Sequence, residues 1–202
     1  MLDTPTKYCE QLISSSFEPI NLATNIAFII FTLLALHKLK TKKGILKLLL
    51  PFFLILIGVG SAWWHTTQST LGDTVDTLSI LVFASTITLL LLFKVTQSKT
   101  KTLLLFTSLF SVTLYAEQIP HLNGSLPYIT LLTGLILLGF FFIRKFPTSK
   151  LLFFSAIITF ALAIFFRSID MSVCEHIPIG THFIWHILVA FFGYLLILLT
   201  AR

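Results

Sequence analysis

Long apolar runs, separated by short polar segments, dominate this chain. Hydrophobic residues make up 56% of its 202 positions and charged residues only 11%. A soluble domain averages about 25% charged residues, so this chain has too little polar side-chain surface to cover a soluble globule. A membrane-spanning helix needs about 20 apolar residues. The pattern therefore predicts an all-α integral membrane bundle of seven transmembrane helices, with no separate soluble domain.

The predicted spans belong to a single membrane domain, residues 1–202, which begins with a polar interfacial segment at residues 1–17. This segment has no early apolar run, so we expect no cleavable signal peptide. Thr107, Ser108, Ser111 and Thr113 make the fourth predicted span less apolar than the others. The seven spans are expected at about 17–36, 46–65, 74–93, 102–116, 126–143, 151–166 and 181–200.

The basic residues alternate between the connecting segments. The loops after the first, third and fifth spans, together with Arg202, hold 12 of the 14 lysines and arginines, and the opposite face holds only Lys7 and Arg167. Cytoplasmic loops of membrane proteins are enriched in Lys and Arg, so the N-terminus is predicted outside and the C-terminus in the cytoplasm. That arrangement requires an odd number of spans. The net charge of +6 therefore indicates membrane topology rather than a nucleic-acid partner.

Polar side chains interrupt the apolar runs near the predicted outer face. The stretch GSAWWHTTQSTLGDTVD, residues 60–76, carries Ser61, His65 and Asp76, and a second stretch carries His182 and His186. Polar and ionisable groups are expensive inside a membrane and mark functional sites. Because the topology brings both stretches to the outer half of the bundle, we expect them to form one site.

The spacing of these residues favours a zinc centre. His182 and His186 are four residues apart and share one face of a helix, and His65 can add a third imidazole. Three histidines and a water form the open tetrahedral arrangement of a catalytic zinc. Ser61, four residues before His65, can donate a hydrogen bond to an oxyanion. Asp76 can take a proton from the water and pass it to a leaving amine.

Other residues of this face have a structural interpretation. Asp73 is expected to cap the third span. Trp63 and Trp64 are expected in the aromatic belt at the membrane interface. Glu18 begins a polar stripe on the first span, and that stripe either caps the helix and bonds neighbouring helices or supports the site.

The chain contains two cysteines, Cys9 and Cys174, both on the predicted outer face. Two cysteines allow one disulfide and no cysteine-based metal cluster. They can pair if the outer side is oxidising. The residues alone leave the paired and the free states open.

The ordered motifs resemble the superfamily that joins alkaline ceramidases, progestin/adipoQ-type receptors and Per1-type lipid remodelling proteins. The alkaline ceramidases are the most similar of these. The resemblance is carried by YCE at 8–10, EPINLATN at 18–25, SAWWH at 61–65 with Asp76 eleven residues later, and SIDMSVCE at 168–175 leading into HFIWHILVAFFGYLLIL. It therefore spans nearly the whole chain.

The resemblance implies zinc on His65, His182 and His186, with Ser61 and Asp76 catalytic. It further implies hydrolysis of the amide of a ceramide-like lipid from the bilayer, which yields a sphingoid base and a fatty acid. The cysteines at 9 and 174 would correspond to a bridged pair.

Some members of the family hold calcium near the N-terminus. Glu10 and Glu18 are the candidate calcium ligands of this chain. Lys7 and Leu12 depart from the ligand types expected around them, which puts the calcium site in doubt.

Two further functions stay open on the sequence alone. One is a phospholipid or lipid-anchor esterase of the same superfamily, and the other is a receptor-like membrane protein with a structural metal. An ion transporter would need charges deep in the bundle, and the inner halves of the predicted spans contain none. The expected location is a bacterial inner membrane, with the site facing the periplasm.

Overall fold

A computed structural model describes residues 7–14, 17–119 and 121–201, and these residues form helices joined by short turns. Residues 1–6, 15 and 16 of the predicted interfacial segment lie outside the described part. The helices are α1 (Cys9–Ile13), α2 (Pro19–Thr24), α3 (Ile26–Leu39), α4 (Leu46–Thr67), α5 (Thr70–Thr96), α6 (Lys99–Glu117), α7 (Leu126–Lys145), α8 (Lys150–Ile169) and α9 (His182–Thr200). Short 3₁₀ turns lie at Leu122–Gly124, Pro147–Ser149 and Asp170–Ser172.

Six stretches among the described residues are long and apolar enough to cross a membrane, which supports a multi-pass integral membrane protein. The first of them, Pro19–Leu39, combines α2 and α3 across a break at Asn25. Helix α6, which corresponds to the fourth predicted span, is not among the six. The all-helical architecture is therefore confirmed, whereas the count of seven spans stays a prediction.

Serine caps and left-handed residues set the tight turns between neighbouring helices. The Ser69 hydroxyl accepts a hydrogen bond from the Gly72 N–H and begins α5, and Ser98 does the same for α6 through the Lys101 N–H. Serine is a preferred N-cap residue because its oxygen satisfies an N–H that has no partner within the helix. Helices α4 and α5 each end at a glutamine with positive φ, Gln68 and Gln97.

Helix α9 lies inside the bundle and packs against α3, α4, α5 and α8. Its Gly193 faces α4 so closely that an added Cβ would lie 2.5 Å from a Leu54 methyl group. Close helix contacts at small residues are typical of membrane bundles, where van der Waals packing replaces the hydrophobic effect as the driving force. This packing fixes the position of the helix that carries two of the predicted histidine ligands.

One end of the bundle gathers the residues that the sequence analysis singled out. The Glu18 N–H donates to the His65 carbonyl oxygen at 2.9 Å, so the start of α2 meets the end of α4. At the opposite end, the Lys145 ammonium donates to the Lys94 carbonyl oxygen at 2.9 Å, which brings the ends of α5 and α7 together. The predicted site therefore lies at the end opposite the lysine-rich turns.

The N-terminal segment is more deeply embedded than the predicted interfacial location implies. Tyr8, Cys9 and Glu10 are buried, while Leu12 and Ile13 are exposed. The interfacial location of the segment stays a prediction, to which the structure adds that these three residues pack against the bundle.

Candidate active site

Three histidines from two helices meet in the buried end of the bundle. His65 comes from the last turn of α4, and His182 and His186 come from the first turns of α9. Each is at most 2% exposed, and one ring nitrogen from each lies within 4.8 Å of the others. The i, i+4 spacing directs the two α9 rings to one side, as the sequence predicted.

Two of the histidines have a polar partner behind the ring. The Nδ1 of His65 lies 2.9 Å from a Glu18 carboxylate oxygen, and the Nδ1 of His186 lies 3.0 Å from the Thr24 hydroxyl. The Thr24 hydroxyl also lies 3.0 Å from two main-chain carbonyl oxygens of its own helix, to which it can donate. The Nδ1–H tautomer of His186 would then donate to Thr24 and leave Nε2 as an unprotonated nitrogen. Such outer partners fix the ring orientation of metal-binding histidines.

The ring nitrogens fit a bound cation. The Nε2 atoms of His65 and His186 are only 3.1 Å apart. Two nitrogen lone pairs approach that closely only when a proton or a cation lies between them. The Nδ1 of His182 is also buried and has no hydrogen-bond partner within the described part of the chain. Since three neutral imidazoles are a ligand set that zinc prefers, the residues present fit the predicted metal.

Ser61 and Asp76 lie beside the histidines. The Ser61 hydroxyl is 3.4 Å from the His186 Nε2, and Ser61 and Asp76 line the same cavity as His182 and His186. Gly60 permits this arrangement, because a Cβ at that position would lie 3.0 Å from the Asp76 Cα. One Asp76 carboxylate oxygen is buried without a hydrogen-bond partner among the described residues. That oxygen is therefore available to a substrate or to water.

The site opens into a polar cavity of about 400 Å³ at the end of the bundle. A second, apolar cavity of about 90 Å³ extends from it between α5, α7 and α9. The two cavities share five lining residues, Ile57, Ile80, Tyr128, Trp185 and Val189. The two cavities are therefore neighbours, one lined by both polar and apolar side chains and the other almost entirely apolar.

The N-terminal segment covers the histidines. The Tyr8 ring stacks on the His182 ring with 3.6 Å between centroids. Cys9 forms a disulfide with Cys174, the pairing that the sequence left open. The Asp170 carboxylate accepts hydrogen bonds from the main-chain N–H groups of Cys9, Thr181 and His182. Asp170 thus caps the start of α9 and ties the N-terminal segment to it.

Two predicted structural roles, those of Asp73 and Trp64, need correction, and the structure favours the site-supporting role that the sequence left open for Glu18. Ser69, not Asp73, caps α5, and the Asp73 carboxylate instead pairs with the Lys7 ammonium at 2.7 Å. Glu18 precedes α2, but its side chain makes no cap and contacts His65. Trp63 is 41% exposed, as a belt residue would be, whereas Trp64 is 1% exposed and lies beneath the Lys7 ammonium.

The two candidate calcium ligands are committed to other partners. The Glu10 carboxylate accepts hydrogen bonds from the N–H groups of Ile20 and Asn21 at 2.7 and 2.8 Å and so caps α2. Burial raises the pKa of Glu10, and those two N–H groups partly oppose the shift. Glu18 is bonded to His65 and to the Asn21 amide. Both contacts of Glu18 use one carboxylate oxygen, and the other is buried without a hydrogen-bond partner among the described residues. The calcium site on Glu10 and Glu18 therefore stays a prediction.

Sequence reasoning missed three residues of the site. Thr24 positions His186, Tyr8 covers His182, and Arg167 lines the polar cavity. Arg167 was considered only as a topology signal. An arginine at the end of an apolar run is itself a signal, because charged residues in spans are rare and functional. Thr24 and Tyr8 carried no comparable signal.

The ceramidase family model, described as "Ceramidase", matches residues 3–202, which is nearly the whole chain. The chain belongs to the ceramidase family. This confirms the resemblance drawn from the ordered motifs. Family membership supports hydrolysis of ceramide and implies a hydrolase that acts on amide bonds, with a lipid as its substrate. A search of curated proteins finds no match to this chain.

Proposed function

We propose that this protein is a zinc-dependent membrane amidase that hydrolyses ceramide or a similar N-acyl lipid. The observation that carries the proposal is the buried trio His65, His182 and His186 beside Ser61 and Asp76, in a chain of the ceramidase family. The products are a sphingoid base, or another long-chain amine, and a fatty acid.

The three histidines would hold the zinc. A zinc ion held there supplies Lewis-acid polarisation of the amide carbonyl and lowers the pKa of a bound water to about 7. Glu18 and Thr24 hold the rings of His65 and His186 in orientation, which keeps their Nε2 atoms directed into the site.

Ser61 and Asp76 carry the remaining steps. The Ser61 hydroxyl donates a hydrogen bond to the carbonyl oxygen as that oxygen gains negative charge, and such a donor contributes about 10²–10³ in kcat. Asp76 takes the proton that the attacking water loses as the new C–O bond forms. It then delivers this proton to the amide nitrogen as the C–N bond breaks, so the amine leaves neutral.

The cavities give the substrate an orientation. The head group and the amide lie in the polar cavity, and one hydrocarbon chain follows the apolar cavity past Trp185 toward the opposite end of the bundle. We place this site on the outer, periplasmic side. The lysine-rich turns at the opposite end support that orientation, and so does the disulfide, because disulfides persist in oxidising compartments.

The test is incubation of the purified protein in detergent with a panel of N-acyl sphingoid bases, N-acyl amines and phospholipids, with and without a zinc chelator. Mass spectrometry of the products should show a released long-chain amine, which the chelator abolishes and added zinc restores. Lysophospholipid without a free amine would instead indicate an esterase. A firmly bound metal without any lipid turnover would indicate a receptor-like protein.

Histidine variants link turnover to the metal. The double variant His182→Ala/His186→Ala should lose both bound zinc and amide hydrolysis. His176→Ala serves as the matched control, because His176 is exposed and lies outside the site. Amide hydrolysis by the metal-free double variant would refute the proposed function.

A further inference from the structure

Arg167 has no role in the proposed chemistry, yet it lines the same polar cavity. It lies near the end of α8, three residues before Asp170, and its side chain reaches over the histidine end of the bundle. Three aromatic rings surround its guanidinium carbon, with centroids 5.6 Å away for Tyr8 and 5.3 Å away for Tyr128 and Trp185. The positive charge is therefore held at a fixed point inside the cavity.

The guanidinium has few protein partners for its charge. A guanidinium carries five N–H donors. Within the described residues, one of them bonds to the Tyr8 hydroxyl at 2.9 Å, and the buried Nε–H has no partner. No carboxylate of the described part lies within 4.0 Å of it, since the ion pairs there are Lys7–Asp73 and His65–Glu18.

The aromatic contacts do not neutralise Arg167. A phenol is neutral at physiological pH, so the Tyr8 hydroxyl accepts a hydrogen bond from Arg167 without cancelling its charge. The aromatic rings attract the cation through their faces, which offsets only part of the cost of removing it from water. The carboxylates of Asp73, Asp76 and Glu117 line the same cavity, but among the described residues none of them forms an ion pair with Arg167. The unpaired N–H groups are therefore best satisfied by an anion that enters the cavity and contacts the guanidinium directly.

The chemistry of the side chain indicates the kind of anion. Arginine presents a planar fork of N–H groups that matches a carboxylate or a phosphate with two parallel hydrogen bonds. The anion is part of an amphipathic molecule, because the apolar cavity continues from the polar one past Tyr128 and Trp185. Arg167 is thus positioned for a head group, while the apolar cavity is positioned for a hydrocarbon chain.

We propose that the preferred substrate is an N-acyl lipid whose head group carries an anionic group, a carboxylate or a phosphate, bound by Arg167. This inference rests on the proposed amidase function. It assigns Arg167 to substrate specificity and leaves the reacting groups as described above.

Two pairs of substrates isolate the anionic group. Ceramide and ceramide 1-phosphate differ only by a phosphate, and N-palmitoylserinol and N-palmitoylserine differ by a carboxylate in place of a hydroxymethyl group. The wild-type protein should show a higher kcat/KM for the anionic member of at least one pair, and the pair that shows it identifies the anion. Equal values within both pairs, or preference for both neutral members, would overturn the proposal.

Variants assign the preference to Arg167. In Arg167→Gln the ratio of anionic to neutral kcat/KM should fall by about 10- to 100-fold, the range expected for loss of hydrogen bonds to a charged group. Arg167→Lys should keep part of the preference for the anionic lipid, because it keeps the positive charge. It serves as the test variant if Arg167→Gln does not fold. Tyr8→Phe is the matched control, because it removes the hydrogen bond to Arg167 and keeps the charge. A ratio that falls equally in Tyr8→Phe and Arg167→Gln would overturn the assignment.

A binding measurement separates this inference from the amidase proposal. The same four lipids are titrated into chelator-treated protein, and binding is followed by tryptophan fluorescence. Tighter binding of an anionic lipid that Arg167→Gln loses supports the subsite even if no lipid is hydrolysed, in which case only the amidase proposal falls. Hydrolysis without any Arg167-dependent preference in turnover or binding refutes the subsite and leaves the amidase proposal standing.

Discussion

Replacing Glu18 with glutamine should weaken zinc binding without removing any of the three proposed zinc ligands. In the structure, a carboxylate oxygen of Glu18 lies 2.9 Å from the His65 Nδ1, and both side chains are at most 1% exposed. The carboxylate holds the Nδ1–H and makes the Nε2 of His65 a better metal ligand. Glutamine has the same shape and can still accept the hydrogen bond, but it has no charge.

The expected size follows from that single contact. A hydrogen bond to a charged group contributes about 1.5–3 kcal/mol, and each 1.4 kcal/mol corresponds to about tenfold in an equilibrium constant. The zinc dissociation constant of Glu18→Gln should therefore rise by roughly 10- to 100-fold, the range typical of outer-shell changes. Thr24→Val should raise it less, by about 2- to 10-fold, because the partner of His186 is a neutral hydroxyl.

The assay is competition with a fluorescent zinc chelator on purified protein, with zinc content checked by elemental mass spectrometry. Glu117→Gln is the matched control, because Glu117 is exposed and lines the polar cavity but, within the described part of the chain, makes no hydrogen bond or ion pair with the histidines. A dissociation constant for Glu18→Gln within twofold of wild type would refute the reasoning. An equal loss of zinc affinity in Glu117→Gln would also refute it, because the effect would then come from removing any negative charge near the site rather than from the contact with His65.

Three further changes test other parts of the site. Ser61→Ala and Asp76→Asn should each lower kcat by about 10²–10³-fold. The zinc content, measured by elemental mass spectrometry, should stay near one per chain, and a parallel loss of zinc would contradict the roles assigned to these residues. Gly60→Ala should push α4 away from α5 near Asp76, which lowers the free energy of unfolding by about 1–3 kcal/mol and also lowers activity. An unchanged melting temperature and unchanged turnover would show that the two helices are not in tight contact there. Cys9→Ser should lower the free energy of unfolding by about 2–5 kcal/mol, and its melting temperature should no longer depend on reductant. A melting temperature equal to that of the oxidised wild type would argue against the disulfide.

The metal trio could be predicted because its signals are local or follow from topology. The spacing of His182 and His186 places both rings on one side of a helix, and loop charges indicated which helix end meets His65. Composition alone excluded a soluble fold. The chemistry assigned to Ser61 and Asp76 stays a prediction, although the structure places both residues beside the histidines.

The missed features depend on contacts between distant parts of the chain. Nothing near Tyr8 in sequence indicates that it stacks on His182, and nothing near Asp73 indicates that Lys7 pairs with it. Trp64 was assigned to the belt with its neighbour, but consecutive residues on a helix point about 100° apart, so Trp63 faces outward while Trp64 faces into the bundle. Contacts between residues that are far apart in the sequence, rather than the residue types themselves, determine these roles.

The attachment of the N-terminal segment to the end of α8 has a consequence for biosynthesis. Cys9 and Cys174 are 165 residues apart, and chains grow at about 5–20 residues per second, so Cys9 is made roughly 8–33 s before its partner. The Asp170 carboxylate and the two α9 histidines are made equally late. When the helices up to α7 have been made, the N-terminal segment therefore still lacks its disulfide partner, and two of the three proposed metal ligands are absent. If the three histidines bind zinc as proposed, zinc loading is a late event, because a chain that stalls before α9 has only one of the three ligands.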